Sequence, residues 1–164
     1  MRPTTDRVRE ALFSLVVART DLEGAAVLDL FAGTGALGCE ALSRGAERVV
    51  FVDVRRASLA IVRENLTRIA HEGQTLVCGD VQRMLKRLDG PFDVVFLDPP
   101  YADHRVEPTL KALWSRRTEL LAPQALICAE HGPDEPLTTL EGYTHITTRG
   151  YGDVRVSLWT LAEP

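Results

Sequence analysis

Four short apolar runs, each closed at or near its carboxyl end by an aspartate, constrain this chain more than any other feature. The first is Ala25-Ala26-Val27-Leu28-Asp29-Leu30-Phe31. The second lies near Arg48 to Val52 and is followed by Asp53, the third covers Thr75 to Cys78 with Asp80 just beyond, and the fourth covers Asp93 to Leu97 with Asp98 next. Runs this short and this apolar suit strands buried on both faces. Between them the spacing of apolar residues predicts helices over Ala36 to Arg44, Ala57 to Ala70 and Val81 to Leu88. Ahead of them, Thr5 to about Ala18 places Val8, Ala11, Leu12, Leu15 and Val16 at helical spacing after a Thr-Thr-Asp start suited to capping. Strands joined in this way by helices make a parallel, doubly wound sheet. Past Tyr101 the pattern predicts a helix near Val106 to Trp114 and a strand at Ala125 to Glu130. Two β-like runs, Thr144 to Arg149 and Val154 to Leu161, flank Gly150-Tyr151-Gly152 and read as an antiparallel hairpin. The expected architecture is therefore α/β, a mostly parallel sheet ending in a hairpin. One domain is expected over residues 1–164, with a helical opening in 1–20 and the sheet-bearing core in 25–164.

The chain has 164 residues and is 45% hydrophobic, enough to bury a core without metal or disulfide support. Cys39, Cys78 and Cys128 are far apart among apolar neighbours, with no Cys/His cluster of zinc spacing. They read as buried free thiols of a reducing compartment. His71, His104, His131 and His145 share no metal-ligand spacing either, and no metal is expected. The opening Met1-Arg2-Pro3-Thr4-Thr5-Asp6 has no long apolar run, and no later segment reaches bilayer length. A soluble, cytoplasmic and monomeric protein is expected, with no membrane partner. The formal net charge of −4 is unusual for a nucleic-acid binder, so binding to RNA would require a local basic patch.

Gly33-Thr34-Gly35-Ala36-Leu37-Gly38 places glycines at a strand-to-helix turn, and Asp53 follows Gly33 by 20 residues. Glycines let backbone approach a ligand, and a carboxylate at the end of the second strand can grip two ribose hydroxyls. Taken alone, this equally suits a dinucleotide-dependent oxidoreductase. Asp29 discriminates, because it would repel a pyrophosphate and attract the ammonium and sulfonium of S-adenosylmethionine. Asp80 could accept from the adenine amine or serve as a helix N-cap. Candidate cofactor contacts are Asp29, Phe31, Ala32, Gly33, Thr34, Gly35, Asp53, Val54, Asp80 and Val81.

Asp98-Pro99-Pro100-Tyr101 sets an acid, two imino acids and an aromatic where the fourth strand stops. The lone pair of a purine exocyclic amine is delocalised into the ring, and acceptors aimed at its N–H bonds localise it. A carboxylate can take one proton and a prolyl carbonyl, fixed by the φ of proline, the other. Tyr101 can stack on the base. An ordinary proline turn is the competing reading. Methyl transfer here would be an in-line displacement dominated by positioning, on a base withdrawn from its stack.

Four segments together resemble the RsmD family of bacterial ribosomal RNA methyltransferases: Arg2-Pro3-Thr4-Thr5-Asp6-Arg7-Val8-Arg9-Glu10-Ala11-Leu12-Phe13, the stretch from Asp29 to Gly38, Asp98 to Tyr101, and Tyr151-Gly152-Asp153. The resemblance implies a Rossmann-like class I methyltransferase that moves methyl from S-adenosylmethionine to the N2 amine of a guanine in 16S rRNA, within an assembling small ribosomal subunit, leaving S-adenosylhomocysteine. It implies that Pro3 and Thr4 belong to an element closing over the methionine end of the cofactor, and that Arg7 faces cofactor or RNA. Family members carry a glycine- and arginine-rich stretch ahead of the Arg-Pro-Thr segment. The sequence begins at Met1-Arg2-Pro3, and a chain without that stretch is expected to keep cofactor binding while its RNA affinity is put in doubt. Arg105 and Arg149 are the other RNA candidates, drawn from a set that includes Arg55, Arg56, Lys111, Arg116, Arg117 and Arg155. The rival readings are an adenine-N6 methyltransferase acting on DNA or RNA, a nicotinamide-dependent oxidoreductase, and a non-catalytic ribosome-assembly module that binds the cofactor.

Overall fold

The computed structural model describes residues 5–69, 72–135, 137 and 140–163. Helix α1 (Asp6–Val17) leads into β1 (Ala26–Leu30), α2 (Ala36–Ser43), β2 (Arg48–Asp53), α3 (Arg56–Leu66), β3 (Gln74–Cys78), α4 (Val81–Met84) and β4 (Phe92–Leu97). After a 3-10 turn over Tyr101–Asp103 come α5 (Val106–Ser115), α6 (Arg117–Leu120), β5 (Leu121–His131) and the hairpin β6 (Tyr143–Tyr151) and β7 (Val154–Leu161). One seven-stranded sheet has the order β3-β2-β1-β4-β5-β7-β6. Strands β1 to β5 pair in parallel, and β7 runs antiparallel between β5 and β6. The predicted α/β architecture with a closing hairpin is the one found.

Strand parity positions everything that follows. Side chains alternate across a sheet, so one strand serves two faces. Val27, Val49, Phe51, Val94 and Phe96 pack with Leu12 and Phe13 of α1, Ala41 of α2 and Val62 of α3. Leu28, Leu30, Val50, Val52, Val95 and Leu97 pack on the other face with Val81, Leu110, Leu113 and Trp159. Each fully buried leucine or phenylalanine contributes roughly 1.5–3 kcal/mol of transfer free energy. Asp29, Asp53 and Asp98 continue the phase of Val27, Phe51 and Phe96, which places all three carboxylates in register with the α1–α3 face at the carboxyl edge.

Three local expectations are corrected. The helix expected over Ala57 to Ala70 ends at Leu66, because Thr67, Arg68 and Ile69 donate to carbonyls three residues back and tighten the chain. Ala70 and His71 lie outside the described residues. The helix expected over Val81 to Leu88 stops at Met84. Arg116 reaches the carbonyls of Leu85 and Leu88 at 2.6 and 2.9 Å and holds the following turns in place of further helix. Cys78 is exposed instead of buried because β3 is an edge strand; Cys39 is half-buried and only Cys128 is enclosed. Among the described residues, no helix is long and apolar enough to cross a membrane.

Candidate active site

The turn from β1 to α2 has three left-handed residues in five, Phe31 at φ 60°, Gly33 at 59° and Gly35 at 80°. Glycine adopts this region without strain, whereas Phe31 is held there by its surroundings. The Ala32 amide donates to Val52 O and the Gly35 amide to Ala32 O, while Asn65 of α3 donates to Thr34 O at 2.9 Å. A Cβ on Gly35 would stand 2.9 Å from Val62, so α3 packs directly on the turn.

The two acids beneath this turn differ in their duties. Asp29 is 1% exposed, and its Oδ2 accepts from the Gly38 amide at 3.0 Å. Burial pushes its carboxyl up to about 8; the Gly38 bond opposes the rise and the nearby Asp53 charge adds to it. Asp53 accepts from the Gly33 amide at 2.9 Å through Oδ2 and from the Arg55 amide at 2.8 Å through Oδ1. One carboxylate thus ties together the turns after β1 and β2. Each of its oxygens keeps a further lone pair for a hydroxyl.

A pocket of about 250 Å3 opens beside these acids, lined by Phe31, Asp53, Val54, Arg55, Asp80, Val81, Pro100, Asp103 and Arg105. Asp80 caps α4, one of the two roles foreseen for it, by accepting from Arg83 N at 3.1 Å, and it also lines the pocket. Arg105 is placed in this same wall, 3.4 Å from Asp80 and 5.5 Å over the Phe31 ring. Arg7 stands on α1 and Arg149 on the edge strand β6, and neither lines this pocket. Pro3 and Thr4 lie outside the described residues.

Asp98 follows β4, with its amide donating to Leu30 O at 3.3 Å. Pro100 lines the first pocket, and its neighbour Tyr101 lines a second, of about 350 Å3, with Ala102, His104, Gly132, Pro133, Asp134, Glu135 and Asp153. Residues 100–104 therefore form a wall between two cavities, Pro100 and Asp103 lining the first and Tyr101, Ala102 and His104 the second. Gly132 packs on Tyr101, the place of its missing Cβ lying 3.4 Å from Tyr101 Cβ, an ordinary van der Waals distance.

Sequence reasoning missed two features beside the second pocket. Glu135 is 7% exposed and accepts from Val106 N at 3.1 Å, capping α5 from 29 residues away where Arg105 offers no side-chain cap. Its Oε1 is buried without a hydrogen-bond partner among the described residues, and burial raises its pKa. His131, at the end of β5, contacts Gly132 O through Nδ1 at 2.9 Å and Ser157 Oγ through Nε2 at 2.7 Å; Ser157 meets Thr148 Oγ1 and Thr148 meets His145 Nε2, each at 2.7 Å. A carbonyl only accepts, so Nδ1 carries the proton and the chain has one polarity, each group from His145 inward donating to the next. Burial lowers the pKa of His131, which keeps it neutral. Proline, glycine and loop acids give no periodic signal that such pairings exist; among the described residues, no group of three His, Cys, Asp or Glu is arranged to hold a metal ion.

The sheet order, the glycine turn at the end of β1 and the row of acids along the carboxyl edge define the class I S-adenosylmethionine-dependent methyltransferase fold. The RNA methyltransferase from Salinibacter ruber, solved in complex with S-adenosyl-L-homocysteine, shares this fold at TM-score 0.72 and 18% identity, over 99% of this chain and 95% of that one. A conserved hypothetical protein from Streptococcus pyogenes superposes at TM-score 0.86 with 33% identity, over 94% of this chain and 96% of its own. The ribosomal RNA small subunit methyltransferase D of Haemophilus influenzae is 36% identical over 170 residues, covering 97% of this chain and 82% of the relative. The family model described as conserved hypothetical protein 95 matches residues 1–160, and the chain belongs to that family, the RsmD family.

Proposed function

We propose that this protein transfers a methyl group from S-adenosylmethionine to the exocyclic N2 amine of a guanine in 16S rRNA, acting in the cytoplasm on an assembling small ribosomal subunit. The observation that carries the proposal is the wall between the two cavities, Pro100 facing the cofactor pocket and Tyr101 the other. Donor and acceptor can then meet across this wall. The buried Asp29, whose carboxyl is pushed up to about 8 chiefly by burial, fits the ammonium of the cofactor's methionyl portion. Asp53 fits the ribose, and Phe31, Val54 and Val81 offer apolar surface for adenine with Asp80 at its polar edge. When bound, the cofactor supplies an electrophilic methyl on a sulfonium.

The residues of the chain supply position. Tyr101 holds the flipped base by stacking, the carboxylate of Asp98 accepts one amine N–H, and a prolyl carbonyl of Pro99 or Pro100 accepts the other. This fixes the nitrogen lone pair along the line of attack and stabilises the positive charge that develops on nitrogen. The new N–C bond forms as the C–S bond breaks, and the amine then loses a proton to solvent through Asp98.

The test is transfer of labelled methyl to small subunits prepared without this modification, followed by nucleoside analysis. N2-methylguanosine is the expected product. N6-methyladenosine would overturn the guanine reading, and cofactor binding without transfer would favour an assembly role.

A further inference from the structure

We infer that the flank of the molecule at the β3 edge, bracketed by α3 and α4, is the surface on which the RNA phosphate backbone docks. The inference rests on the RNA-methylating reading above and supplies what an acidic chain needs, a local basic face. Residues 55–88 contain seven Lys or Arg and three Asp or Glu, a surplus of four positive charges in a chain whose formal net charge is −4, so the remaining residues carry −8.

These cations are also uncommitted. Arg55, Arg56, Arg63 and Arg68, on or beside α3, make no side-chain hydrogen bond, ion pair or ring contact among the described residues. The same holds for Arg83, Lys86 and Arg87, on α4 and the turn after it. Elsewhere such charges are mostly spent within the fold. Arg9 and Arg44 share Glu40, Arg116 holds Glu119 and two carbonyls, and Arg155 holds the carbonyls of Gly152 and Val154. Outside the flank, only Arg7, Arg19 and Arg149 among the described cations lack a partner.

Lysine on an edge strand discourages pairing with another sheet, but these cations stand on or beside α3 and α4, and β3 itself carries none of them. The bias to one sign is what points to a polyanion. Six of the seven are arginine, whose planar fork matches phosphate oxygens better than an ammonium does. Arg56 and Arg63 are two helical turns apart, roughly 10 Å along one face of α3. Val54 and Ile61, exposed at 66% and 43%, lie among these charges and offer apolar surface to ribose or an unstacked base. The patch is continuous with the site, because Arg55 is at once its first residue and part of the cofactor-pocket wall.

The test compares the protein with a variant carrying Arg63→Glu, Arg68→Glu, Lys86→Glu and Arg87→Glu, none of which lines either pocket. The probes are transcribed, unmethylated small-subunit rRNA and small subunits lacking the modification. The variant should lose at least about tenfold in affinity for naked rRNA, and the slope of log K against log salt should fall by about 3. S-adenosylmethionine affinity should be unchanged, which certifies the fold; the glutamine version of the same four positions should show an intermediate loss. Unchanged rRNA affinity and slope in the variant would overturn the inference while leaving the proposed reaction intact. A loss confined to particles, with naked rRNA bound normally, would overturn it in favour of an acidic protein surface. Failure of the unaltered protein to bind or methylate rRNA would remove the reading on which the inference rests, and the inference with it.

Discussion

Cofactor binding should take up the energetic cost stored at Asp29, and it should do so in a pH-dependent way. The carboxyl is raised from an ordinary 3.8 to about 8 chiefly by burial. Near neutrality it is therefore mostly protonated, and only its ionised form attracts an ammonium. If the bound state restores an ordinary carboxylate pKa, affinity tracks the ionised fraction of the free protein, which rises about 25-fold between pH 6 and pH 7.5, equivalent to roughly 2 kcal/mol. Over that window the ligand's own amine, with an α-amino pKa of about 7.7–8.0, stays mostly protonated. Isothermal titration in buffers of different ionisation enthalpy should show the rise in affinity together with release of close to one proton near pH 6.5. Adenosine, which lacks the methionyl portion, should show neither. Asp29→Asn keeps an oxygen for the Gly38 amide and removes the titration, so its affinity should be low and flat over the same range. Because the folded state favours the protonated acid, Asp29 opposes folding increasingly from about pH 4 to pH 8. The Asn variant should therefore raise the melting temperature of the free protein at pH 8 by several degrees, consistent with a gain on the order of a few kcal/mol. Affinity independent of pH, with no proton released, would refute this account of Asp29.

Asp98→Ala should lower kcat by roughly 10²-fold or more while leaving the cofactor dissociation constant within a factor of about two, read by single-turnover kinetics and titration. Asp53→Ala should weaken cofactor binding and also lower the melting temperature, because the Gly33 and Arg55 amides both lose their acceptor; a cost of about 1–3 kcal/mol is expected by chemical denaturation. Gly38→Ala should be among the most damaging small substitutions, since the new Cβ would stand 2.3 Å from Phe51 Cε1 and 2.9 Å from Asp29 Oδ2. A loss of about 1–3 kcal/mol is expected, together with weaker cofactor binding. Thiol titration of the native protein should label exposed Cys78 first and half-buried Cys39, pushed up to about 11, slowly; Cys128, raised further by full burial, should react only on unfolding.

The features legible in the sequence are those with a period. Alternation of apolar runs with helical spacing specifies the order of strands and helices. The same period of two that sends Val27 and Phe51 to one face sends Asp29 and Asp53 there too, so the row of acids is legible from strand parity alone. What is not legible depends on side chains reaching across the fold. Arg105 meets Asp80 from 25 residues away, Glu135 caps α5 from 29, and Arg116 ends α4 from 31. Each overrides a local preference: Arg105 turns into the wall of the first pocket, and α4 stops a turn early. The basic flank is hidden for a related reason, because whether an arginine is available depends on which partners the fold brings to it.

Strand β5 pairs with β4 on one side and with β7 on the other, and β7 is the last strand of the sheet to be synthesised. Until residues beyond Val154 emerge from the ribosome, the run Leu126-Ile127-Cys128-Ala129 presents an open row of backbone donors and acceptors flanked by apolar side chains. Such an edge invites pairing with a neighbouring chain. A released chain truncated between Gly142 and Val154 should therefore be more prone to aggregate than the finished molecule. The hairpin that brings Asp153 to the cavity at Tyr101 is also the one whose late arrival leaves this edge open in the making of the protein.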